Sequence, residues 1–173
     1  MTKPPKMRRA SPSSAWETAI RLLSLRDRSE AELQRRLRDR GYDSDDIDRT
    51  LERCRACGYL DDARFARQRA AALAASGRAL GYRLTWELKK AGVATELAET
   101  VAAERNSEQD QLALARDLLA RRYPGYSTEH PDPRLQRRVF DFFRRRGFAP
   151  ETIRALLHQP VDATTDDMPY DDL

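Results

Sequence analysis

Two adjacent aspartates stand close to a cysteine pair in the stretch CGYLDDARFARQR, residues 57–69. Adjacent carboxylates near arginines could hold a metal ion, act as an acid and a base, or begin a helix. A metal site would need further carboxylates or histidines from elsewhere, and the sequence indicates none. The pattern favours a helix start, with Asp61 as the N-cap residue and Asp62 in the first turn, where the helix dipole favours negative charge.

The cysteines Cys54 and Cys57 form the sequence CRAC, which could bind zinc or carry out redox chemistry. A tetrahedral zinc site needs about four ligands. The chain has no second cysteine pair, and its two histidines lie far away along the sequence. Because Cys54 follows Ile47 and Leu51 at helical spacing, we expect it to pack as a small apolar residue.

No pattern typical of an enzyme occurs in the chain. It contains no Gly-rich phosphate loop, nucleophile elbow or His-rich metal motif. Two histidines are available for proton transfer near neutral pH, and the aspartates and glutamates alternate with arginines as they do on helix surfaces. We therefore expect a protein that is not an enzyme and has no cofactor and no metal.

The composition is very polar for a globular protein, with 35% charged residues, 8% aromatic residues and a mean hydropathy of -0.79. Leu and Ala still recur at helical spacing, which predicts thin, elongated helical packing. No apolar run approaches the roughly 18 residues that span a bilayer, and the N-terminus MTKPPKMRRASPSS lacks the apolar segment of a secretory signal. A cytoplasmic monomer without membrane contact is expected.

The net charge of +4 is unevenly distributed along the chain. The N-terminal tail is basic and the C-terminal tail is acidic, so that the acidic tail could partly mask a basic body. Of the 32 basic residues, 28 are Arg and four are Lys. This excess could reflect recognition of phosphates and carboxylates by the planar guanidinium group, or codon bias in a GC-rich genome.

Three segments of the chain align on a glycine, at Gly41, Gly92 and Gly147. In each segment, apolar residues stand eight and four positions before the glycine, and another follows it at once. These residues are Leu33, Leu37 and Tyr42; Leu84, Leu88 and Val93; and Val139, Phe143 and Phe148. The pattern predicts a helix that ends at a left-handed glycine, with the next apolar residue folded back on the last turn.

A second helix is predicted after each glycine. Ser44 and Thr95 are the predicted N-cap residues of the first two, and Pro150 the first helical residue of the third. A further helix fits upstream in each unit. We therefore predict an all-α fold, an elongated tandem array of three helix-turn-helix-like units that share a core. The predicted boundaries are 15–58, 59–105 and 106–159 for the repeats, and 1–14 and 160–173 for a basic and an acidic disordered tail.

A helical wheel predicts that basic residues recur on the outer faces of matching helices and form one basic strip. Such a strip could bind nucleic acid by counterion release or an acidic protein surface, or it could be an ordinary solvated face. Its members are Arg35, Arg36, Arg38 and Arg40; Arg83, Lys89 and Lys90; and Arg137, Arg138, Arg144, Arg145 and Arg146.

Two aromatic residues, Tyr82 and Trp86, lie four positions apart and opposite the apolar stripe of their helix. Exposed aromatic residues could be partner contacts. In a repeat protein they could equally fill the groove against the next unit, which is the interpretation we favour. The same two interpretations apply to Phe140 and Phe142.

The segment GYLDDARFA, preceded by RSEAELQRRLRDRG and followed by GYRLTWELKKAGV, resembles the RecX family of recombination regulators. The resemblance covers roughly residues 16–158 and is strongest from Arg28 to Val93. It implies a cytoplasmic bacterial protein, built from tandem three-helix repeats, that binds the RecA nucleoprotein filament. There it would inhibit ATP hydrolysis and strand exchange by RecA in recombination and DNA repair. The resemblance implies no catalysis, metal or cofactor, although some members also bind DNA.

Two other functions remain open at this point. The chain could be a DNA-binding helical module that contacts phosphates of single- or double-stranded DNA without reading sequence. It could also be a helical scaffold for some other partner. An effect on RecA filaments, or binding to naked DNA alone, would distinguish these possibilities.

Overall fold

The structure, a computed structural model, describes residues 14–108, 110–127 and 132–157, apart from the side chain of Glu108. These residues form nine α-helices and no strand, which confirms the predicted all-α helical repeat fold. The predicted disordered tails lie outside the described residues, except for Ser14. The helices are α1 (Ala15–Leu25), α2 (Glu30–Arg38), α3 (Ser44–Ala56), α4 (Asp62–Ala75), α5 (Gly81–Lys90), α6 (Thr95–Glu108), α7 (Gln111–Arg122), α8 (Pro133–Arg144) and α9 (Pro150–Leu156).

The helix starts agree with the sequence predictions only in part. Ser14, assigned to a tail, caps α1 in a reciprocal pair of hydrogen bonds with Glu17. Asp43, one residue before the predicted Ser44, caps α3, since its carboxylate accepts a first-turn amide at 2.9 Å. Thr95 is the first residue inside α6 rather than the residue before it. Pro150 occupies the first turn of α9 as predicted.

The three predicted glycine caps are confirmed. Gly41, Gly92 and Gly147 have φ angles of 87°, 91° and 83°, in the left-handed region. In each case, the amide of the following residue donates to the carbonyl five residues earlier, at 3.5, 3.1 and 3.3 Å respectively. This is the Schellman arrangement, which satisfies carbonyls that the helix end would leave without donors.

The chain divides into two compact units. Unit 1 comprises Met1–Ala72 and Thr85–Val101, and unit 2 comprises Leu73–Leu84 and Ala102–Leu173. The division passes through α4, α5 and α6, which are the helices of the predicted middle repeat. The boundaries of the three repeats stay a prediction.

The core of unit 1 lies between α1, α2 and α3, which pack against one another. Its buried side chains recur at helical spacing on each helix, as expected for amphipathic helices that bury one face. Cys54 is fully buried among them, so its predicted apolar role is confirmed. The buried cluster is Ala19, Leu22, Leu33, Leu37, Ile47, Leu51, Cys54 and Leu60.

The core of unit 2 contains three packed phenylalanine rings among aliphatic side chains. Within it, α9 packs against α7 and α8, and Phe143 is fully buried. The Phe143 ring meets those of Phe142 and Phe148 edge to face, with centroid distances of 5.1 and 5.0 Å. Such pairs add about 0.5–1.5 kcal/mol to the burial of their area. Phe142 is buried and Phe140 packs against this core, so both have the packing role rather than an exposed one.

The start of α2 lies against the end of α5 within unit 1. The Ser29 hydroxyl donates to the Ala91 carbonyl, and the same hydroxyl accepts the Glu32 amide at 3.2 Å as the N-cap of α2. A Cβ atom added at Gly92 would come within 2.8 Å of the Ala31 Cβ and 2.9 Å of the Ser29 Oγ. Glycine is therefore required at this turn for space as well as for its backbone angle.

The start of α5 lies in the same way against the end of α8 within unit 2. The Leu80 amide donates to the Arg146 carbonyl at 2.8 Å. A Cβ atom added at Gly147 would lie only 2.0 Å from the Leu80 carbonyl oxygen. Gly41, at the end of α2, differs from both, since no atom in the described part of the chain would lie within 4 Å of its Cβ.

We expect Gly41→Ala and Gly147→Ala to differ strongly in stability although their backbone angles are alike. At Gly41 the substitution should lower the free energy of unfolding by about 1 kcal/mol, for the left-handed angle alone. At Gly147 we expect about 3 kcal/mol or more, because the methyl group would push Leu80 away. Urea unfolding followed by circular dichroism measures both, and equal losses would contradict the close approach.

A buried ion cluster holds the first turn of α2 in unit 1. Glu32 is buried, and its carboxylate accepts hydrogen bonds from Arg26 (3.0 Å) and from Arg28. Arg28 is itself buried and donates its Nε to the Leu22 carbonyl at 3.1 Å. Burial acts to raise the pKa of Glu32, but the hydrogen bonds and charges of Arg26 and Arg28 outweigh it, so the pKa is lowered from 4.5.

We expect Glu32→Gln to lower the free energy of unfolding by about 3 kcal/mol near neutral pH, because it leaves Arg28 buried without its partner. The lowered pKa means that this stabilisation is present above the unfolded value and is lost as the pH falls through the folded value. The variant should therefore lose less stability on acidification than the wild type. Glu30→Gln is the matched control on the same helix, because its ion pair with Arg55 is more exposed and should be worth below about 1 kcal/mol. If the free energy of unfolding of Glu32→Gln falls as much on acidification as that of the wild type, the stabilising role of the Glu32 carboxylate is contradicted.

Candidate functional site

The aspartate pair at the start of α4 binds two backbone amides. The Asp61 carboxylate accepts the Arg64 amide at 2.9 Å, which is chiefly why the pKa of Asp61 is lowered. The Asp62 carboxylate accepts the Glu30 amide at 2.8 Å, and burial raises the pKa of Asp62. Asp61 thus caps its own helix, as predicted, whereas Asp62 supplies an acceptor to the start of α2. The second contact was not predicted, because it joins residues that are 32 positions apart.

Metal-ligand groups and membrane-spanning helices are both absent from the described ranges. No group of three or more His, Cys, Asp or Glu side chains that could hold a metal ion occurs there. No helix in these ranges is long and apolar enough to cross a membrane. The remaining candidates from the sequence are the basic strip and the two aromatic residues Tyr82 and Trp86.

One half of the predicted basic strip lies in unit 1, on the last turns of α2 and α5 and just beyond α2. All six of these side chains are exposed. Several have contacts within the chain, since the Arg36 Nε lies 3.7 Å from the Glu32 carboxylate and Arg40 donates to the Arg36 carbonyl at 2.8 Å. Bases in the last turn of a helix also interact favourably with its dipole. The six are Arg35, Arg36, Arg38, Arg40, Lys89 and Lys90.

The other half of the predicted strip lies in unit 2, mainly on α8. Four of its arginines are exposed, and we call them the α8 arginine face: Arg137, Arg138, Arg144 and Arg145. Arg137 and Arg144 are seven residues apart, as are Arg138 and Arg145, so each two lie two helical turns apart on the same side of the helix. Within this face, Arg144 lies 3.8 Å from Asp141, a long and exposed ion pair. Arg83 is half-buried. The continuous strip stays a prediction.

Arg146 differs from its neighbours on α8, because its guanidinium stacks on a core ring. The Arg146 Cζ lies 3.5 Å from the centroid of the Phe142 ring, and Nη1 donates to the Phe142 carbonyl at 3.1 Å. Burial lowers the pKa of Arg146, and the charges of Arg145, Arg122 and Arg78 lower it further, while Tyr123 acts in the opposite sense.

Arg146 lines a concave site in unit 2 that has a volume of about 370 Å³. We call it the arginine cleft, because four arginines line it: Arg78, Arg121, Arg122 and Arg146. Ser76, Leu118 and Phe142 complete its wall, and no acidic residue of the described chain lines it. Three of the four were missed from the sequence, because the helical wheel compared matching helices whereas Arg78 lies in a loop and the other two at the end of α7. The adjacent pair Arg121-Arg122 was the available signal.

The aromatic candidates Tyr82 and Trp86 are more exposed than the packing interpretation requires, at 61% and 45%. The Tyr82 hydroxyl donates to the Arg144 carbonyl at 3.4 Å in unit 2. In unit 1, the Lys90 ammonium lies 4.7 Å from the centroid of the Trp86 ring, a cation–π contact. Both side chains are therefore largely exposed, and both interpretations, packing against the next unit and partner binding, stay predictions.

Two family models match the chain. The model of the RecX first three-helix domain matches residues 15–54, and that of the RecX third three-helix domain matches residues 108–157. The first range covers α1 to most of α3, and the second covers α7 to α9.

Similar proteins and structures carry the same description. A regulatory protein RecX of Syntrophotalea carbinolica is 44% identical over 137 residues, which are 79% of this chain and 90% of that protein. One of Trichlorobacter lovleyi is 38% identical over 148 residues, covering 86% and 96%. The crystal structure of RecX from Lactobacillus salivarius has a TM-score of 0.64 at 19% identity, over 83% of this chain and 92% of that one. At that identity the likeness supports the fold alone.

We expect Asp61→Ala to lower the free energy of unfolding by about 1 kcal/mol through the lost cap. Asp62→Asn should cost less, because the amide oxygen can still accept from Glu30 and the buried charge is removed. Thermal unfolding of both variants and of the wild type, with and without millimolar Mg²⁺ or Mn²⁺, provides the measurement. If metal raises the melting temperature of the wild type but not of the two variants, Asp61 and Asp62 bind metal and their purely structural role is overturned.

Proposed function

Since the chain belongs to the RecX family of regulatory proteins, we propose that it binds the RecA nucleoprotein filament in the cytoplasm. There it reduces ATP hydrolysis and DNA strand exchange by RecA. The observation that carries this proposal is the 44% identity to a regulatory protein RecX over 90% of that protein's length. The relationship covers 79% of this chain rather than one motif.

Regulation by binding has a thermodynamic requirement. A bound protein shifts an equilibrium between filament states only by the difference in its affinity for them. The chain therefore needs a surface that binds one filament state more tightly than another. It needs no chemical step, which agrees with the regulatory name of its relatives.

The α8 arginine face is the surface we propose for filament contact. Its four guanidinium groups are exposed, and the ion pair of Arg144 with Asp141 is long, so it holds that side chain only weakly. Guanidinium groups bind carboxylates and phosphates in a bidentate manner. Both kinds of group occur on a filament of protein and DNA, so the face has suitable partners there.

We expect the chain to lower the rate of ATP hydrolysis by RecA from the same organism on single-stranded DNA, at substoichiometric amounts. Reversing the charges at Arg137, Arg138, Arg144 and Arg145 to Glu should weaken this inhibition at least about tenfold in the concentration required. Circular dichroism should show that the variant is folded, because these side chains are exposed.

The matched control replaces the same four arginines with lysine, which retains the charge. Inhibition close to that of the wild type would assign the effect to charge, and a loss would assign it to guanidinium geometry. An unchanged ATPase rate with the wild-type chain would reject the proposed function. Full inhibition by a folded charge-reversed variant would reject only the α8 arginine face.

A DNA-binding module is the second candidate function, and the dense arginines of unit 2 favour it. It predicts binding to naked DNA with a steep dependence on salt and no effect on preformed filaments. A scaffold for another partner predicts neither result. The ATPase and DNA-binding measurements together therefore separate the three functions.

A further inference from the structure

The arginine cleft concentrates positive charge that no carboxylate of the described residues neutralises. In the described chain, no carboxylate pairs with Arg78, Arg122 or Arg146. The Arg121 Nε donates to the main-chain carbonyl of Asp117 at 3.1 Å, and a neutral carbonyl does not neutralise its charge. Like charges in one cleft repel one another, and a bound anion would relieve this repulsion.

The cleft is also partly built before any ligand arrives. The Arg146 guanidinium is fixed between the Phe142 ring and the Phe142 carbonyl, so little side-chain entropy remains to be lost there. Arg121 is held by its hydrogen bond to the preceding turn of α7. The exposed Arg122, next to Arg121 at the end of α7, and the exposed Arg78, from the loop after α4, can close on a ligand.

We propose that the arginine cleft is a phosphate-binding site, filled by a phosphodiester of single-stranded nucleic acid or by the phosphates of a free nucleotide. A tetrahedral phosphate accepts hydrogen bonds from several directions, whereas a planar carboxylate is satisfied by one or two guanidinium groups. Arginines from three chain segments around one cleft therefore favour phosphate. The volume of about 370 Å³ lies in the range of sites for small molecules, about 300–1,000 Å³.

The stacked pair of Phe142 and Arg146 gives the site a second feature that suits a nucleotide. Bases stack on arginine planes as well as on aromatic rings in complexes with single strands. A phosphate held by Arg78 and Arg122 would leave the attached nucleoside close to this pair, which lines the same cleft. This inference does not rest on the proposed function, because it concerns residues outside the α8 arginine face and needs no RecA.

The test uses the whole chain and the variant Arg78→Gln/Arg122→Gln, which removes two exposed charges and leaves Arg146 in place. The matched control is Arg21→Gln/Arg134→Gln, which removes two exposed charges that do not line the cleft. The probes are a fluorescent oligothymidylate, measured by anisotropy, and a fluorescent ATP analogue. Each is titrated at several salt concentrations without RecA.

We expect the cleft variant to bind its phosphate probe about tenfold more weakly than the control variant. For the oligonucleotide, the plot of the logarithm of the binding constant against the logarithm of the salt concentration should also become less steep. Its negative slope should shrink in magnitude by about 1.4, the value for two lost phosphate contacts on a single strand. Loss of oligonucleotide binding identifies a strand as the source of the phosphate, and loss of nucleotide binding alone identifies a free nucleotide.

Three outcomes would overturn the assignment. They are a wild-type chain that binds neither probe, equal weakening by the cleft and control variants, and competition by polyglutamate as strong as that by the oligonucleotide. The last result would make the cleft a site for an acidic protein segment. Thermal unfolding of both variants shows whether each is still folded at the temperature of the titrations.

Discussion

In each unit, the start of one helix lies directly on the glycine turn that ends another helix, and the packing of the unit depends on this contact. In unit 1, Ser29 hydrogen bonds to the carbonyl before Gly92, and in unit 2, Leu80 hydrogen bonds to the carbonyl before Gly147. Each turn satisfies carbonyls of its own helix and offers another to the helix that packs on it. The backbone of Leu80 at Gly147 and the side chains of Ser29 and Ala31 at Gly92 leave no room for a Cβ atom. These two glycines therefore determine both where a helix ends and what it packs on.

The arginines of this chain have two separate roles. Arg28 is buried with Glu32, and Arg146 stacks on Phe142, so both belong to the packing of their units. The exposed members of the α8 arginine face make few contacts with the chain and keep their hydration. Desolvation decides between the roles, because a guanidinium group loses water only where a carboxylate or an aromatic ring replaces it. A count of charges therefore overstates the surface available to a partner, because only the exposed arginine side chains can reach one.

Both proposals follow from this division. The α8 arginine face offers exposed guanidinium groups to a large surface such as a filament, where many weak contacts add up. The arginine cleft surrounds one small anion with partly fixed groups, which favours a single phosphate. The two surfaces share no residue, although Arg145 of the face is adjacent to Arg146 of the cleft and its charge acts on it. The cleft variant at Arg78 and Arg122 leaves all four residues of the α8 arginine face unchanged.

Local patterns determined the fold class, the three glycine caps and the membership of the RecX family, because periodicity, capping chemistry and motif order are properties of neighbouring residues. Contacts between distant residues were decided by the tertiary structure. Asp62 accepts the Glu30 amide, Glu32 is buried among arginines, and Arg78 joins Arg122 and Arg146 in one cleft. Tyr82 and Trp86 stay exposed although packing was favoured. The physical reason is that a helical wheel gives a direction for each side chain, and only the packed neighbours decide what it meets.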